Sequence, residues 1–360
     1  MLCQTIDELL PVLQMLPQPA FCLREDGTVV CNQAARHLAP ASDADLGRWL
    51  GAGAAAFSLW DRSGTLELPV IAASRSYSAV LRPVRDGLMC LLRELEEDAE
   101  EGSAMAVASQ VLRMPLTDLS AQVQQLAEQT EDERILLRTV AMQRQLYRIS
   151  RITANLTDLE LLRTNQYPLR MKHLNISNLQ HRLQEELTDL LKETGRELIW
   201  DGFSQPVTLM GDESLLQRAV LNLVSNAVKF SPVGTTVRVL FRDLTDRILI
   251  QVENQCTDEA ETLLRGAFDR LRQRDLLPDP RWGVGLGLPL VQAISRIHGG
   301  MTALEVQERT VTVTLSLSRR RSTEPPVLTS PVFAYNGGFR ETLLELSDCL
   351  PNHVYHRDAL

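Results

Sequence analysis

Two stretches of this sequence carry apolar residues at the spacing that places them along one side of an α-helix. In the first stretch the intervals are four, three, four and three residues, at Leu112, Leu116, Leu119, Val123 and Leu126. The second stretch has similar intervals, at Met142, Leu146, Ile149, Ile152, Leu156 and Leu159. The polar residues 128–133 between the two stripes suit a turn. We therefore expect an antiparallel helical hairpin over residues 103–165.

The same stripes also predict an assembly. A hairpin with one apolar stripe on each helix cannot bury both stripes alone. Pairing with a second copy would bury them in a four-helix bundle, a common solution for helices of this length. We therefore expect the chain to form a dimer through this hairpin.

Composition narrows the class of protein. The 360 residues are enough for more than one domain, and the 44% hydrophobic content is typical of globular cores. A net charge of −9 argues against nucleic-acid binding, which would need a clustered basic face. No apolar run reaches the roughly 20 residues that a transmembrane segment needs. The six cysteines are scattered without a CxxC pair, which favours reduced thiols and a cytoplasmic protein.

Residues 1–95 carry the signals of a small mixed α/β domain. Residues 21–23 and 28–31 are strand-like and flank a Glu-Asp-Gly turn signal. Residues 32–38 suit a short helix. A second hairpin signal at residues 85–87 separates two further strand candidates. The phrase over residues 16–35 resembles the opening of PAS sensor domains, and an unrelated small α/β domain is the alternative. The acid-rich residues 94–102 follow and suit a solvated linker or the start of a helix.

Residues 170–318 alternate between helical and strand patterns. Helices are expected at residues 189–194, 213–229 and 287–298, and strands at 235–241 and 247–253. A closing strand shows clean alternation, at Val311, Val313, Leu315 and Leu317. Helices interleaved with a mainly antiparallel sheet predict an α+β sandwich. The remaining residues, 319–360, form an unassigned tail with a short helix over residues 341–350, for which a packing arm and a partner-binding segment are both open.

The second large unit contains a pattern that suits phosphate binding. Asn222, Asn226 and Lys229 lie at positions i, i+4 and i+7, which places them on one helix face. About 55 residues later, a Gly-Val-Gly-Leu-Gly run starts at Gly283 and precedes a helix. Glycines let a backbone approach phosphates closely, and a helix N-terminus favours anions. Such a helix face can offer an amide oxygen to Mg²⁺ and an ammonium group to phosphates.

These motifs resemble those of sensor histidine kinases and of the wider GHKL ATPases. Residues 209–232 are similar to the family's N-box, residues 267–270 to its F-box and residues 283–288 to its G2-box. The resemblance implies a GHKL-type ATP-binding domain that holds ATP and Mg²⁺, with Asn226 as the metal ligand. The implied ATP-binding residues are Asn222, Asn226, Lys229, Phe230, Asn254, Phe268, Gly283, Gly285, Leu286 and Gly287. It also implies that residues 270–283 form the ATP lid and that His298 is structural.

The G1-box departs from the family pattern. Asn254 stands where the family has the aspartate that accepts a hydrogen bond from adenine. Cys256 and Asp258 replace glycines that allow close backbone approach. A hydrogen bond to a charged group contributes about 1.5–3 kcal/mol and a neutral one about 0.5–1.5 kcal/mol. An amide still accepts, so we expect adenine binding to be weaker than in the family.

The phosphoacceptor motif is also altered. Residues 109–116 resemble the family's H-box, in which Arg113, Pro115 and Leu116 match. Gln110 occupies the position of the phosphoacceptor histidine, and no histidine lies within residues 104–163. Val111 replaces the acidic residue that follows that histidine, and Met114 replaces the residue used in dephosphorylation. A helical hairpin without any H-box ancestry is the alternative interpretation.

Three functions are compatible with the sequence. The leading hypothesis is a histidine-kinase-like signalling protein that binds ATP–Mg²⁺ without phosphorylating itself and acts as a regulator or in trans. The second is an active ATP-dependent kinase that uses another acceptor, as in anti-sigma-type members of the superfamily. The third is an interaction scaffold that needs no nucleotide. The implied partners are a second copy or a related kinase, and a response regulator.

Overall fold

The structure is a computed structural model that describes residues 5–60, 62, 64–73, 75–94, 102–257, 285–319 and 339–355. Its α-helices are α1 (Ile6–Met15), α2 (Asp43–Leu50), α3 (Ala54–Leu59), α4 (Gly102–Gln129), α5 (Glu133–Arg163), α6 (Ile176–Lys192), α7 (Glu213–Phe230), α8 (Gly287–Ile297) and α9 (Glu341–Glu345). Its strands are β1 (Ala20–Arg24), β2 (Val29–Cys31), β3 (Thr65–Ala72), β4 (Arg75–Val84), β5 (Gly87–Glu94), β6 (Lys172–Asn175), β7 (Glu197–Asp201), β8 (Thr208–Gly211), β9 (Thr236–Asp243), β10 (Arg247–Gln255), β11 (Met301–Gln307) and β12 (Thr310–Ser318).

One ten-stranded sheet combines strands from the N-terminal residues with strands from residues 197–318. Its strand order is β2-β1-β5-β4-β3-β11-β12-β10-β9-β7. The first five strands in that order come from the N-terminal residues, and the other five come from the region of the nucleotide motifs. Strands β7 and β9 pair in parallel, whereas the other neighbouring pairs are antiparallel. The fold is therefore a multidomain α/β arrangement with a separate helical region.

The N-terminal strands follow the sequence signals, but the predicted helix over residues 32–38 is wrong. Only a 3₁₀ turn forms there, at Gln33–Ala35. The buried side chain of Asn32 explains the difference, because its Oδ1 accepts from the backbone N–H groups of Ala20 at 3.1 Å and Ala35 at 3.0 Å. These bonds tie the segment to β1 in a tight turn. The hairpin predicted around residues 85–87 is confirmed by the pairing of β4 with β5.

The helical hairpin forms as α4 and α5, which pack along each other. Several members of the apolar stripes stay exposed in the single chain. Leu112, Leu119 and Leu126 on α4 are 49%, 47% and 46% exposed, and Met142 and Ile149 on α5 are 52% and 45% exposed. An apolar face of this length on a surface helix is typical of an interaction site.

Helices α6, α7 and α8 share one hydrophobic core with strands β9, β10, β11 and β12. The predicted helix at residues 189–194 is only the end of α6, which starts at Ile176 and has its N-cap at Asn175. Its apolar face buries Leu179, Leu183, Leu187 and Leu191. Strand β10 supports α7, and α8 packs against both α7 and α5. The helical hairpin therefore touches the region of the nucleotide motifs within one chain.

The two halves of the sheet meet at β3 and β11. Glu67 pairs with Leu304, Leu66 with Glu305 and Thr65 with Val306. Met301 and Ala303 of β11 also belong to the hydrophobic core of the N-terminal strands. The N-terminal domain is thus joined to the second domain by backbone hydrogen bonds as well as by apolar packing.

Residues 339–355, named here the C-terminal segment, lie against α5 and α7. The helix predicted for residues 341–350 stops at Glu345, and turns continue it to residue 350.

Within the described residues, no helix combines the length and apolar character that crossing a bilayer requires.

Candidate nucleotide site

Helix α7 carries the central residues of the candidate site. Asp212 caps its N-terminus by accepting from the Leu215 backbone N–H at 3.2 Å. Asn222 is fully buried and Asn226 is partly buried, whereas the Lys229 side chain is 11% exposed. Phe230 ends the helix, and the Lys229 ammonium lies 5.8 Å from the centre of its ring. The spacing-based prediction that these residues share one helix is confirmed.

The N-terminus of α8 closely approaches this face of α7. Gly285 has φ +74°, a conformation that favours glycine, and Leu286 is buried. A Cβ atom on Gly287 would lie 2.8 Å from Asn222 Oδ1 and 3.2 Å from Asn226 Nδ2. Only glycine fits this approach without a shift. The predicted site residues Phe268 and Gly283 lie outside the described residues, as does the predicted ATP lid.

The position predicted for adenine binding lies near the end of β10. Asn254 is 5% exposed, and its Nδ2 donates to the carbonyl of Gln255 at 2.9 Å. This bond uses the amide nitrogen, so the side-chain oxygen is the group that can accept from an adenine amine. The buried Cys256 donates its backbone N–H to the carbonyl of Arg309 at 2.7 Å. Asp258 lies outside the described residues.

A buried carboxylate occupies the inner part of the α7 face. Glu345 of the C-terminal segment has 0% exposure and accepts from Arg151 Nε at 3.1 Å and Arg218 Nε at 3.0 Å. It also accepts from Asn222 Nδ2 at 2.9 Å. Asn222 Oδ1 in turn accepts from Arg151 Nη2 at 3.1 Å. Both polar groups of the Asn222 side chain are therefore engaged.

A second carboxylate of the same segment lies at the outer part of this face. Asp348 accepts from Arg148 Nε and Arg151 Nη1, each at 3.0 Å, and its distance to Lys229 Nζ is 3.5 Å. Burial raises the pKa of Asp348, but Arg151, Lys229 and Arg148 outweigh it and hold the pKa below its ordinary value. Burial lowers the pKa of Lys229 despite this carboxylate.

Arg218 also ties α7 to α5 directly. Its guanidinium donates to Asp158 and, at 2.7 Å, to Asn155 Oδ1. Sequence patterns do not predict this contribution of Arg218, because its partners on α5 lie about 60 residues away in the chain. The roles of Arg151, Glu345 and Asp348 were likewise missed. Pairs between distant parts of a chain leave no spacing signal.

Residues 109–116, which resemble the H-box, lie on α4. Gln110 is part of this helix. Val111 is 68% exposed and Met114 is 75% exposed, so neither side chain is needed for packing within the single chain. The pKa of Arg113 is lowered by burial first and then by the positive charge of Arg218. Arg113 of α4 therefore lies close enough to α7 for the charge of Arg218 to act on it.

His298 is structural, as predicted. The ring is buried and bridges α8 to the loop before α7. Nδ1 donates to the carbonyl of Ile294 at 2.8 Å, and Nε2 accepts from the backbone N–H of Asp212 at 3.0 Å. These two partners require the neutral ring, and burial accordingly lowers the pKa of His298.

This part of the chain is similar to known nucleotide-binding proteins. Residues 211–321 match the family model of the histidine kinase-, DNA gyrase B-, and HSP90-like ATPases. The "Probable sensor protein PcoS" of Escherichia coli is 30% identical over 207 residues, which cover 56% of this chain and 43% of PcoS. The "Sensor histidine kinase CusS" of Escherichia coli strain K12 is 29% identical over 203 residues, which cover 55% of this chain and 41% of CusS.

The chain thus spans less than half the length of these two relatives. Among solved structures, full-length ShkA in complex with AMPPNP is similar with a TM-score of 0.48 and 20% sequence identity, covering 63% of this chain and 47% of ShkA. Matching motifs in residues 211–321, the close approach of α8 to α7 and the kinase relatives lead to one conclusion. Residues 211–321 therefore form a domain of the histidine kinase-, DNA gyrase B-, and HSP90-like ATPase family, and the chain is similar to sensor histidine kinases over about half of its length.

Proposed function

We propose that this protein binds ATP–Mg²⁺ but does not phosphorylate itself. The observation that carries the proposal is a contrast within the chain. The nucleotide motif residues Asn222, Asn226 and Gly287 come together between α7 and α8, whereas the acceptor position on α4 holds Gln110. A glutamine amide has no ring nitrogen that could attack a phosphoryl group, and Val111 cannot act as a general base.

The residues of the candidate site fit a nucleotide with its metal ion. Asn226 offers an amide oxygen to Mg²⁺, which takes few protein ligands beside phosphates and waters. Lys229 offers an ammonium group to phosphates, and Gly285 and Gly287 bring backbone amides to the same region at the N-terminus of α8. Asn254 would accept from adenine. Bound ATP–Mg²⁺ would supply a transferable phosphoryl group, for which the chain offers no histidine on α4 or α5.

The proposed context is signal transduction in a dimer. The exposed apolar stripes of α4 and α5 support pairing of the hairpin with a second copy or with a related kinase in a four-helix bundle. The N-terminal domain would act as a PAS-like sensor, and a response regulator is the proposed downstream partner. In a mixed dimer, the ATPase domain of this chain would serve the histidine of the other subunit.

The test combines nucleotide binding with autophosphorylation. We expect calorimetry to detect ATP–Mg²⁺ binding that Asn226→Ala weakens at least 10-fold. We expect labelled ATP to give no acid-labile phosphate on the wild-type protein. The Gln110→His, Val111→Glu double variant is the matched gain-of-function control, because it restores the acceptor and the base. Acid-labile phosphate on the wild type, or no binding at millimolar ATP, would contradict the proposal.

A nucleotide-independent scaffold is the second candidate, and one observation favours it. Glu345 and Asp348 already take the bonds that Asn222 and Lys229 would give to a ligand. A site that no longer binds nucleotide would also have its donors paired with side chains of the same chain. The scaffold is preferred if Asn226→Ala changes neither nucleotide affinity nor the cellular phenotype.

A further inference from the structure

The C-terminal segment is docked firmly between α5 and α7. It buries a set of apolar side chains against these helices, namely Phe339, Leu343, Leu344, Leu346, Leu350, Val354 and Tyr355. Tyr147 of α5 is fully buried, with its ring centre 4.7 Å from that of Phe339 and 5.1 Å from that of Tyr355. These contacts place the segment on the helix face that carries the nucleotide motif.

Two carboxylates of the segment lie where the phosphate groups of a bound nucleotide would lie. Glu345 and Asp348 lie three residues apart, and together they reach Asn222 at 2.9 Å and Lys229 at 3.5 Å. Carboxylate and phosphate oxygens are interchangeable as acceptors for charged donors. Two of the donors that a triphosphate would use, Asn222 and Lys229, are therefore already paired within the chain.

The charge at this face favours an anion. Arg148, Arg151, Arg218 and Lys229 converge on the two carboxylates of the segment. If the segment left and nothing replaced it, buried guanidinium groups would lose their partners, which is strongly unfavourable. Departure of the segment is therefore coupled to the arrival of another anion.

We propose that the C-terminal segment is an internal competitor of ATP. Its carboxylates and the phosphates of the nucleotide bind the same donors on α7, so the segment and the nucleotide exclude each other. This inference rests on the ATP binding proposed above and adds a regulatory step to it. A partner that captures the segment would open the site.

The competition has a measurable size. The apparent dissociation constant of a ligand equals the intrinsic constant divided by the fraction of molecules that can bind. A segment that is docked in about 99% of molecules would thus weaken the apparent ATP affinity about 100-fold. Removing the segment should restore that factor.

The experiment compares the full chain with three variants. One ends after residue 338, one carries Glu345→Gln and one carries Asp348→Asn. The matched control is His353→Ala, in the same segment, where the exposed imidazole contacts Glu193 at 3.1 Å, at the end of α6. Calorimetry gives the affinity for ATP–Mg²⁺, and hydrogen exchange of residues 341–350 reports whether the segment is docked.

We expect the truncated chain to bind ATP–Mg²⁺ at least 10-fold more tightly than the full chain. Asp348→Asn should give a smaller gain, and His353→Ala should give none. Saturating ATP–Mg²⁺ should accelerate hydrogen exchange of the segment in the full chain.

Equal, measurable affinities in the full and truncated chains would overturn the competition and leave ATP binding intact. Absence of binding in both would overturn the ATP proposal itself and the competition with it. If the truncated chain does not fold, as judged by circular dichroism, Asp348→Asn decides the question. The amide that Asp348→Asn introduces keeps an oxygen that can accept from Arg148 and Arg151, so the variant removes the charge and not the acceptor. Unchanged affinity and unchanged hydrogen exchange in a folded Asp348→Asn protein would then count against the competition.

Discussion

Glu341 begins α9 in a crowded acidic environment, and its titration should affect docking of the C-terminal segment. Burial raises the pKa of Glu341 to about 7; Arg218 opposes this shift, whereas Glu345 and Glu186 reinforce it. Gln217 donates to the Glu341 carboxyl group at 3.0 Å. A carboxyl group whose folded pKa is raised favours the folded state when protonated. Stability from this group is therefore lost as pH rises from about 4.5 to about 7.

We accordingly expect Glu341→Gln to stabilise the protein at pH 8 and to have little effect at pH 4.5. The amide keeps an acceptor for Gln217 and cannot ionise. Thermal unfolding at both pH values measures the effect. The exposed Glu185→Gln on α6 is the control for a change in net charge. A variant with the same unfolding temperature as the wild type at pH 8 would contradict this role.

His298 should impose the opposite pH dependence. Its pKa is lowered by burial from the ordinary 6.5, and its Nε2 must stay unprotonated to accept from Asp212. Stability from this residue is complete above about pH 6.5 and decreases as pH falls below that value. We expect His298→Ala to cost about 1–3 kcal/mol at pH 7.5, because the Asp212 amide loses its partner. The cost should shrink at pH 5.5. Urea unfolding measures it, with the exposed His181→Ala as control.

Single residues differ in how far their roles can be predicted. The shared face of Asn222, Asn226 and Lys229 follows from helix geometry, which is local and therefore visible in spacing. The bond between Arg151 and Glu345 joins residues 194 positions apart. No periodicity connects them, so only the folded chain brings their charges together.

At the scale of elements, the β3–β11 junction depends on a glycine. A Cβ atom on Gly64 would lie 2.6 Å from the Val306 carbonyl oxygen and 3.0 Å from the Gln307 Cα atom. We expect Gly64→Ala to push the strands apart and to accelerate hydrogen exchange in residues 65–67 and 304–306 at least 10-fold. Gly47→Ala is the matched control, since a Cβ there meets nothing within 4 Å. Unchanged exchange at the junction in the Gly64 variant would show that the strands tolerate the methyl group.

Regular elements are predictable where one face is apolar over several turns. Helices α4, α5 and α7 follow this rule, and Leu179, Leu183, Leu187 and Leu191 of α6 have the same spacing. Short strands such as β6 and β8 are too brief for alternation to show. The pairing of β3 with β11 is unpredictable because it joins strands from distant parts of the chain and depends on the tertiary fold.

At the scale of the whole molecule, the exposed stripe of α4 should decide the oligomeric state. Leu119 is 47% exposed in the single chain, so a charge there would disturb a dimer more than the fold of the protomer. We expect Leu119→Glu to convert a dimer into a monomer while the unfolding temperature of the ATPase domain changes little. Sedimentation velocity measures the state. Val233→Glu, at a loop position that is 74% exposed, is the control. A dimeric Leu119 variant would place the interface elsewhere.

The β3–β11 junction has a consequence for synthesis of the chain. Glu67 leaves the ribosome long before its partner Leu304 is made. At about 5–20 residues per second, β3 waits on the order of 10–50 s with an unpaired edge. Nascent chains stalled before residue 301 should therefore be cut by protease at β3, and chains stalled well beyond β12 should be protected. Completion of the N-terminal sheet is in this sense an event of late translation.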